Sequence, residues 1–134
     1  MVEFEGKLFY HTIYVLIDSG ATLSYVSPKI VDQCCLQAVK FKNPWLVQLA
    51  TREKRHVLAK VNNCPLEIAS QPLVADLNVL PLGSYDILIA MDWLEKHWSL
   101  INCKTKAIFY MDEEGNKHEI QGILRPLKLL TIIA

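Results

Sequence analysis

The chain has 134 residues, 51% of them hydrophobic and 21% charged, which suits one globular domain with its own core and excludes a disordered chain. Because 14 Lys and Arg residues balance 14 Asp and Glu residues, no net positive charge indicates binding to nucleic acid or to an anionic membrane. A net charge near zero weakly favours self-association.

The cysteines and the N-terminal residues bear on the compartment. Cys34, Cys35, Cys64 and Cys103 include no Cys-x-x-Cys pair, and adjacent cysteines do not readily bridge each other. We therefore predict reduced thiols in a cytoplasmic setting and no structural zinc site. Segment 1–5 is acidic, unlike a signal peptide, and no apolar run reaches the roughly 18 residues of a membrane span, so no membrane contact is expected.

The first part of the chain predicts a strand followed by a helix. Residues 7–17 alternate and then run apolar, which favours a hairpin arm or strand that enters the core. Ser27 and Pro28 are typical of a helix start, with Ser27 as the N-cap, and a short helix is predicted over 29–35.

A hairpin is predicted next. Strands over 45–50 and 56–61 flank a polar tip at 51–55, which indicates a β-hairpin whose end projects into solvent. Asn62 and Asn63 then form a turn signal.

Short strands continue through the second half of the chain. They are predicted at 65–69, 72–77, 87–89, 100–102, 107–111 and 117–120. Asp92 and Glu95 fit a capping box, with Asp92 as the N-cap of a helix that runs through Trp98. Many short strands with one or two short helices predict a mostly-β barrel or sandwich.

The tripeptide Asp18-Ser19-Gly20 is the strongest candidate for chemistry. It follows the apolar run 13–17, which places a carboxylate at the end of a buried strand and in a Gly-containing turn. Such a carboxylate is suited to acid/base work, and a strand-ending turn with Asp18 as a cap is the alternative. Since the tripeptide occurs once, any second carboxylate that it needs must come from another chain.

Two further stretches carry a resemblance to a known family. Residues 17–22 (Ile-Asp-Ser-Gly-Ala-Thr), 85–94 (Tyr-Asp-Ile-Leu-Ile-Ala-Met-Asp-Trp-Leu) and 98–106 together resemble the protease domain of gypsy-type LTR retrotransposon polyproteins. That family belongs to the retropepsins, the retroviral-type aspartic proteases. The resemblance implies a retropepsin-like closed β-barrel, one lobe per chain, over residues 1–128, and leaves 129–134 as an apolar tail or the start of a linker.

The resemblance also implies a mechanism and a partner. Each retropepsin chain supplies one Asp, here Asp18, and a homodimer brings two together to hydrolyse peptide bonds of a Gag-Pol polyprotein. Ser19 braces the pair across the dimer axis, Gly20 allows the tight turn, and Ala21 and Thr22 complete the active-site loop. No cofactor and no direct nucleic-acid contact is implied.

Two more elements are assigned by the resemblance. The hairpin tip, with Ala50, Thr51, Arg52 and Glu53, corresponds to the flap that closes over a bound peptide. The run Ile87-Leu88-Ile89-Ala90 corresponds to the apolar element that packs behind the catalytic loop. The tip lacks the glycines of retroviral flaps, and Ala90 stands where the family usually has Gly.

Two other hypotheses remain open. The departures at Ala90 and at the tip suit a retropepsin-like domain that dimerises or binds without useful catalysis, as a relic or a domesticated copy. A ubiquitin-adaptor-type retropepsin domain that acts in host protein turnover is the third, and no ubiquitin-binding segment lies in these residues.

Overall fold

The computed structural model describes residues 1–49 and 52–123, which form ten strands and two short helices. None of the helices in these residues is long and apolar enough to cross a membrane. The expected domain limit at residue 128 and the tail 129–134 lie outside the described residues. In chain order the elements are β1 (Val2–Leu8), β2 (His11–Ile17), β3 (Tyr25–Val26), α1 (Pro28–Gln33), β4 (Ala38–Gln48), β5 (Lys54–Ile68), β6 (Gln71–Val79), β7 (Ile87–Ile89), α2 (Met91–Lys96), β8 (Leu100–Asn102), β9 (Ala107–Met111) and β10 (Lys117–Gln121).

Six of the strands in the described ranges close into a barrel. Their order is β1-β2-β7-β3-β6-β5, and the ring closes where β5 pairs antiparallel with β1. The residue at this closure is Gly6. Any larger residue would place its side chain against the backbone carbonyl oxygen of Glu67, so glycine is needed for the two strands to pair. The predicted mostly-β barrel with short helices is confirmed, and the sandwich alternative is wrong.

Four strands lie outside the ring. β4 pairs with β5 as the outer arm of a long hairpin, which we call the flap hairpin (residues 38–61). β8, β9 and β10 form a separate antiparallel sheet in the order β10-β9-β8. The strands predicted at 87–89, 100–102 and 107–111 are confirmed with the same limits.

The first hairpin differs from its prediction. The stretch 7–17, expected as one arm or strand, holds the last two residues of β1, a turn at Phe9 and Tyr10, and all of β2. The turn contains no Gly, Pro or Asn, and Phe9 itself adopts the left-handed conformation with φ 56°, so its side-chain chemistry gives no turn signal. Alternate residues of both strands, Val2, Phe4, Leu8, Ile13, Val15 and Ile17, are at most 2% exposed and form much of the core.

The predicted turn at Asn62 and Asn63 is wrong. Both residues lie inside the continuous strand β5, where the pairing with β6 shifts register between Val61 and Cys64. Asn63 has φ 49° and its backbone N–H donates to the Asp76 carboxylate at 2.7 Å. Asn tolerates the left-handed conformation both in turns and in β-bulges, and here it forms a bulge that bends a long strand.

The two helices begin differently from each other. α1 begins at Pro28 after the predicted N-cap Ser27, but it ends at Gln33, two residues before the predicted limit, and the Ser27 side chain makes no capping hydrogen bond. α2 begins at Met91, and its N-cap is Ala90 in extended conformation. The prediction of Asp92 as N-cap is therefore wrong, since Asp92 is the second residue of the helix. The helix ends at Lys96, before Trp98.

Candidate active site

Asp18 is the first residue after β2, at the point where β2 runs parallel to β7. Its backbone N–H donates to the carbonyl oxygen of Ile89 at 2.9 Å, which extends the pairing one residue past the strand. Ile17 and Ile89 are each 1% exposed, whereas Asp18 is half-buried. A carboxylate thus stands at the end of a buried pair of strands, and β7 (Ile87–Ile89) lies directly beside the loop that carries it.

The loop turns tightly around the Asp18 carboxylate. The backbone N–H of Gly20 donates to Asp18 Oδ1 at 2.8 Å, and the N–H of Ala21 donates to the Asp18 carbonyl oxygen at 3.3 Å. A β-carbon at Gly20 would lie 3.1 Å from Asp18 Oδ1, so glycine leaves room for the carboxylate. Gly20 does not adopt a positive φ, and space is therefore the reason for glycine here.

The second half of the loop is bonded to the start of α2. The Ala21 carbonyl oxygen accepts from the N–H of Met91 at 3.0 Å, and the Thr22 carbonyl oxygen accepts from the N–H of Asp92 at 3.1 Å. Ser19 and Thr22 are exposed. The residues predicted to support Asp18 thus form one short loop whose backbone is fixed to two other elements.

Ser24 is a residue that the sequence interpretation missed. Its side chain is fully buried, its Oγ accepts from the N–H of Ala90 at 2.9 Å, and the same hydroxyl donates to Asp92 Oδ1 at 2.5 Å. The backbone N–H of Ser24 donates to Asp92 Oδ2 at 3.0 Å. We call Ser24, Ala90 and Asp92 the loop clamp, because it joins the end of the active-site loop to the start of α2.

The clamp explains why the capping-box prediction failed. An Asp three residues before a Glu is typical of a helix N-terminus, but the Asp92 carboxylate accepts from Ser24, a residue 68 positions earlier, as well as from the adjacent N–H of Trp93 at 2.8 Å. Burial, followed by the negative charge of Asp92, raises the pKa of the Tyr25 phenol. A lone Ser between Leu23 and Tyr25 gives no signal of this contact in the sequence.

Ala90 fits its position without backbone strain. It is fully buried, with φ −123° and ψ −168°, an extended conformation that any L-residue adopts. Its carbonyl oxygen accepts from the N–H groups of Trp93 and Leu94, each at 3.1 Å. A conformation reserved for glycine is therefore not what this position requires.

An apolar surface joins the flap hairpin to the active-site loop. Val57 of β5 is fully buried in a cluster with Tyr25 and Leu80. Half-buried apolar side chains surround this cluster: Leu23, Phe41, Trp45, Val47, Leu49, Leu82 and Leu88. Since Leu23 lies just after Thr22 and Leu88 lies in β7, the inner face of the hairpin packs against residues that border the loop of Asp18.

The hairpin tip is held by bonds within the hairpin. The N–H of Leu49 donates to the Glu53 carbonyl oxygen at 2.8 Å, and the N–H of Arg52 donates to the Leu49 carbonyl oxygen at 2.9 Å. Arg52 has φ 70°. Ala50 and Thr51, predicted as part of the flap, lie outside the described residues.

A family model supplies the deciding comparison. The model described as retroviral aspartyl protease matches residues 6–116 of the chain. The chain belongs to the retroviral aspartyl protease family. The match includes the active-site loop, the flap hairpin and α2, and the retropepsin assignment made from the sequence is confirmed at this level.

The relatives are more distant. DNA damage-inducible protein 1 of Neurospora crassa is 24% identical over 102 residues, which are 76% of this chain and 23% of that protein. The protein of the same name from Cryptococcus neoformans var. neoformans is 22% identical over 98 residues, 73% of this chain and 22% of that protein. The chain therefore spans about a quarter of the length of these curated relatives, which do not carry the name of a retrotransposon polyprotein.

A solved structure shares the architecture of this family member. The retroviral protease-like domain of Ddi1 from Leishmania major superposes with a TM-score of 0.68 at 14% identity, over 92% of this chain and 94% of that one. This likeness extends to the fold alone. Among the described residues, no group of three or more His, Cys, Asp or Glu side chains is arranged to hold a metal ion.

Proposed function

We propose that the protein is an aspartic endopeptidase that hydrolyses peptide bonds with two copies of Asp18, one from each chain of a homodimer. The observation that carries the proposal is the half-buried Asp18 carboxylate in a loop fixed to β7 and α2, within a family of aspartyl proteases. Backbone fixed in this way is what a reacting group requires, because a misplaced group loses much of its catalytic effect.

The mechanism needs two carboxylates that share one proton, since like charges about 3 Å apart do not both ionise. The ionised carboxylate takes a proton from a water molecule, which attacks the peptide carbonyl carbon. The protonated carboxylate donates its proton to the developing oxyanion, and the titration belongs to the pair rather than to either Asp18. In this proposal Ser19 braces the pair across the dimer axis, and Gly20 leaves room for the turn around the carboxylate.

A groove beside Ser19 supports the homodimer. If two Asp18 residues meet, the surface next to Ser19 must lie against the partner. That surface is a groove of about 360 Å³ that Ser19 lines together with Met1, Trp98 and Leu100. These three apolar residues are 76%, 78% and 71% exposed in the single chain, and their burial would stabilise association.

The proposed substrate is a retrotransposon Gag-Pol polyprotein. The residues at 85–94 and 98–106 support it, because they carry the resemblance to gypsy-type elements. The relatives named DNA damage-inducible protein 1 favour the rival hypothesis, a domain of a larger cellular protein. A cytoplasmic site of action is part of the proposal, and the four free cysteines support it.

The central experiment measures cleavage by mixed dimers. Asp18→Asn protein should lose about 10²–10⁴-fold or more in kcat/KM on Gag-Pol peptides while keeping its fold and its sedimentation as a dimer. In an equal mixture with wild-type chains, the activity should fall to about one quarter, because only dimers with two Asp18 residues cleave. Asp32→Asn, on the exposed side of α1, is the matched control and should retain wild-type cleavage.

Two outcomes would contradict the proposal. Cleavage that persists in Asp18→Asn protein would remove Asp18 from the mechanism, and activity that falls only to about one half in the mixture would show that single chains act alone. Gag-Pol peptides should also be compared with peptides from cellular proteins, since a preference for the second set would favour the rival substrate.

A second candidate is a domain that dimerises without cleaving. The charged, Gly-free tip favours it, and Ala90 stands where the family usually has Gly, although its backbone is unstrained. Wild-type chains would then show no cleavage above the Asp18→Asn control. Ala90→Gly discriminates between an inactive relic and an active enzyme. If wild-type chains are inactive and the variant cleaves, Ala90 is the residue that abolished activity. If both cleave equally, the domain is an active enzyme.

A further inference from the structure

The flap hairpin carries an excess of positive charge that the rest of the chain lacks. Residues 38–61 contain a single acidic residue, Glu53, and six basic ones: Lys40, Lys42, Arg52, Lys54, Arg55 and Lys60. Because the whole chain has equal numbers of acidic and basic residues, the remainder is net negative. The hairpin is thus a local positive surface on an otherwise acidic protein.

Arg55 stands on the inner face of this hairpin. Side chains two residues apart share a face of a strand, so Arg55 lies on the same face as Val57, which is fully buried in the apolar cluster. Across the ladder Arg55 pairs with Val47, a half-buried member of the same cluster. Lys54 and His56 lie on the opposite face. On the inner face of β5, the next side chain after Val57 toward the hairpin tip is therefore the basic side chain of Arg55.

The Arg55 guanidinium has a weakly held partner. Its Nη2 donates to Glu53 Oε2 at 2.9 Å, and the two side chains are 56% and 60% exposed. In the described part of the chain, Arg55 binds Glu53 through one guanidinium nitrogen, although a guanidinium can bind a carboxylate through two nitrogens at once. An exposed ion pair contributes little to stability, so a second carboxylate can replace Glu53 at small cost.

We infer that Arg55 selects peptides that carry an Asp or Glu side chain close to the apolar residues at the cleavage point. The inference rests on the proposed function and names its substrate class. An extended peptide between the hairpin and the active-site loop would pack apolar side chains on Leu23 and Leu88 and place a carboxylate beside Arg55. Displacement of Glu53 lets the guanidinium bind that carboxylate with two nitrogens.

Acidic peptide fits this surface better than nucleic acid does. The guanidinium borders the apolar cross-strand pair of Val57 and Trp45, which suits side chains rather than a phosphate backbone. The net negative charge of the remaining residues opposes a long polyanion, whose binding depends on many phosphate contacts.

The experiment uses matched fluorogenic peptides that differ only in one Glu or Gln, moved along an otherwise neutral sequence with apolar residues at its centre. At the best position, wild-type protein should cleave the Glu peptide about 10-fold faster in kcat/KM than the Gln peptide. Arg55→Gln should remove this ratio. Lys54→Gln removes the same charge from the opposite face and should keep the ratio.

Binding separates this inference from the proposed function. The same peptides are titrated into Asp18→Asn protein, where the Glu peptide should bind about 10-fold more tightly and Arg55→Gln in that background should abolish the difference. If wild-type chains cleave nothing but the binding ratio persists, the proposed function fails, whereas the binding of acidic peptides by Arg55 stands.

Three results would overturn the inference itself. The first is equal binding and cleavage of Glu and Gln peptides at every position. The second is an equal loss of the ratio in Lys54→Gln, which would assign it to general electrostatics. The third is a single-stranded RNA oligonucleotide that binds more tightly than the Glu peptide and depends on Arg55.

Discussion

The active-site loop and the flap tip are both short connections, but their backbones are held in different ways. The loop at 18–24 bonds to β7, to α2 and to the Asp92 carboxylate, all of them far away in sequence. The tip, in its described residues, bonds through Leu49 and Glu53 to its own hairpin. Hydrogen bonds to distant elements hold a catalytic group in place, whereas bonds within one hairpin allow that hairpin to move away from the active site. The difference therefore matches the proposed roles of Asp18 as a catalytic residue and of the hairpin as a flap.

The largest effect on the way the active-site loop is held is expected from Ser24→Ala. It removes the acceptor of the buried Ala90 N–H and the donor to Asp92, and we expect a loss of about 2–3 kcal/mol in the free energy of unfolding together with most of the activity. Urea denaturation followed by fluorescence measures it. Ser27→Ala is the control and should change stability by less than about 0.5 kcal/mol, because the Ser27 side chain makes no capping bond. Similar losses in both variants would refute the clamp.

Gly20→Ala tests the loop with a smaller change. The added methyl group would lie 3.1 Å from Asp18 Oδ1 and would move the carboxylate by a few tenths of an ångström. We expect kcat to fall about 10-fold, with KM and thermal stability nearly unchanged, because placement rather than folding is disturbed. Steady-state kinetics and a melting curve check this. A large drop in melting temperature with unchanged kcat would show that Gly20 serves the fold.

A pH measurement tests a third region, the connection between β9 and β10. The hydrogen bond from His118, then those from backbone N–H groups, hold the pKa of Asp112 at about 2, below its ordinary 3.8. Because the folded pKa is the lower one, this carboxylate stabilises the protein above about pH 4, and the stabilisation is lost as pH falls toward about 2.

Two variants check the assignment. Asp112→Asn should flatten the dependence of unfolding free energy on pH between about 4 and 2, and His118→Gln should shift that dependence to higher pH. The acid response of the β9–β10 hairpin can then be subtracted before any pH effect on cleavage is assigned to the Asp18 pair. An unchanged slope in Asp112→Asn would contradict this.

The smallest effect is expected at the tip. Glu53→Gln breaks the exposed ion pair with Arg55, and the free energy of unfolding should change by less than about 0.5 kcal/mol. Differential scanning calorimetry at low and high salt measures it. A loss above about 1 kcal/mol would mean that the tip is held as firmly as the loop, and the comparison would fail.

Features that depend on local sequence patterns or on a single motif could be predicted from the sequence. The strand at 87–89, the barrel class and Asp18 at the end of β2 follow from apolar runs and from a motif that occurs once. Ser24 and Asp92 could not be paired in advance, because their contact joins residues that only the fold brings together. Two residues gave wrong turn predictions. Asn63, a residue common in turns, lies inside strand β5, whereas Phe9, a residue uncommon in turns, forms the turn between β1 and β2.

The outer strand of the flap hairpin has a consequence for handling the protein. Within the described ranges, β4 is an 11-residue edge strand that pairs with β5 alone, and such edges recruit other chains into aggregates. Lys40, Lys42 and Pro44 interrupt it, and the register breaks between Lys40 and Trp45. These charged and proline residues oppose the pairing of β4 with other chains. Substitutions that make the flap hairpin more apolar to improve substrate binding should therefore lower the solubility of the protein.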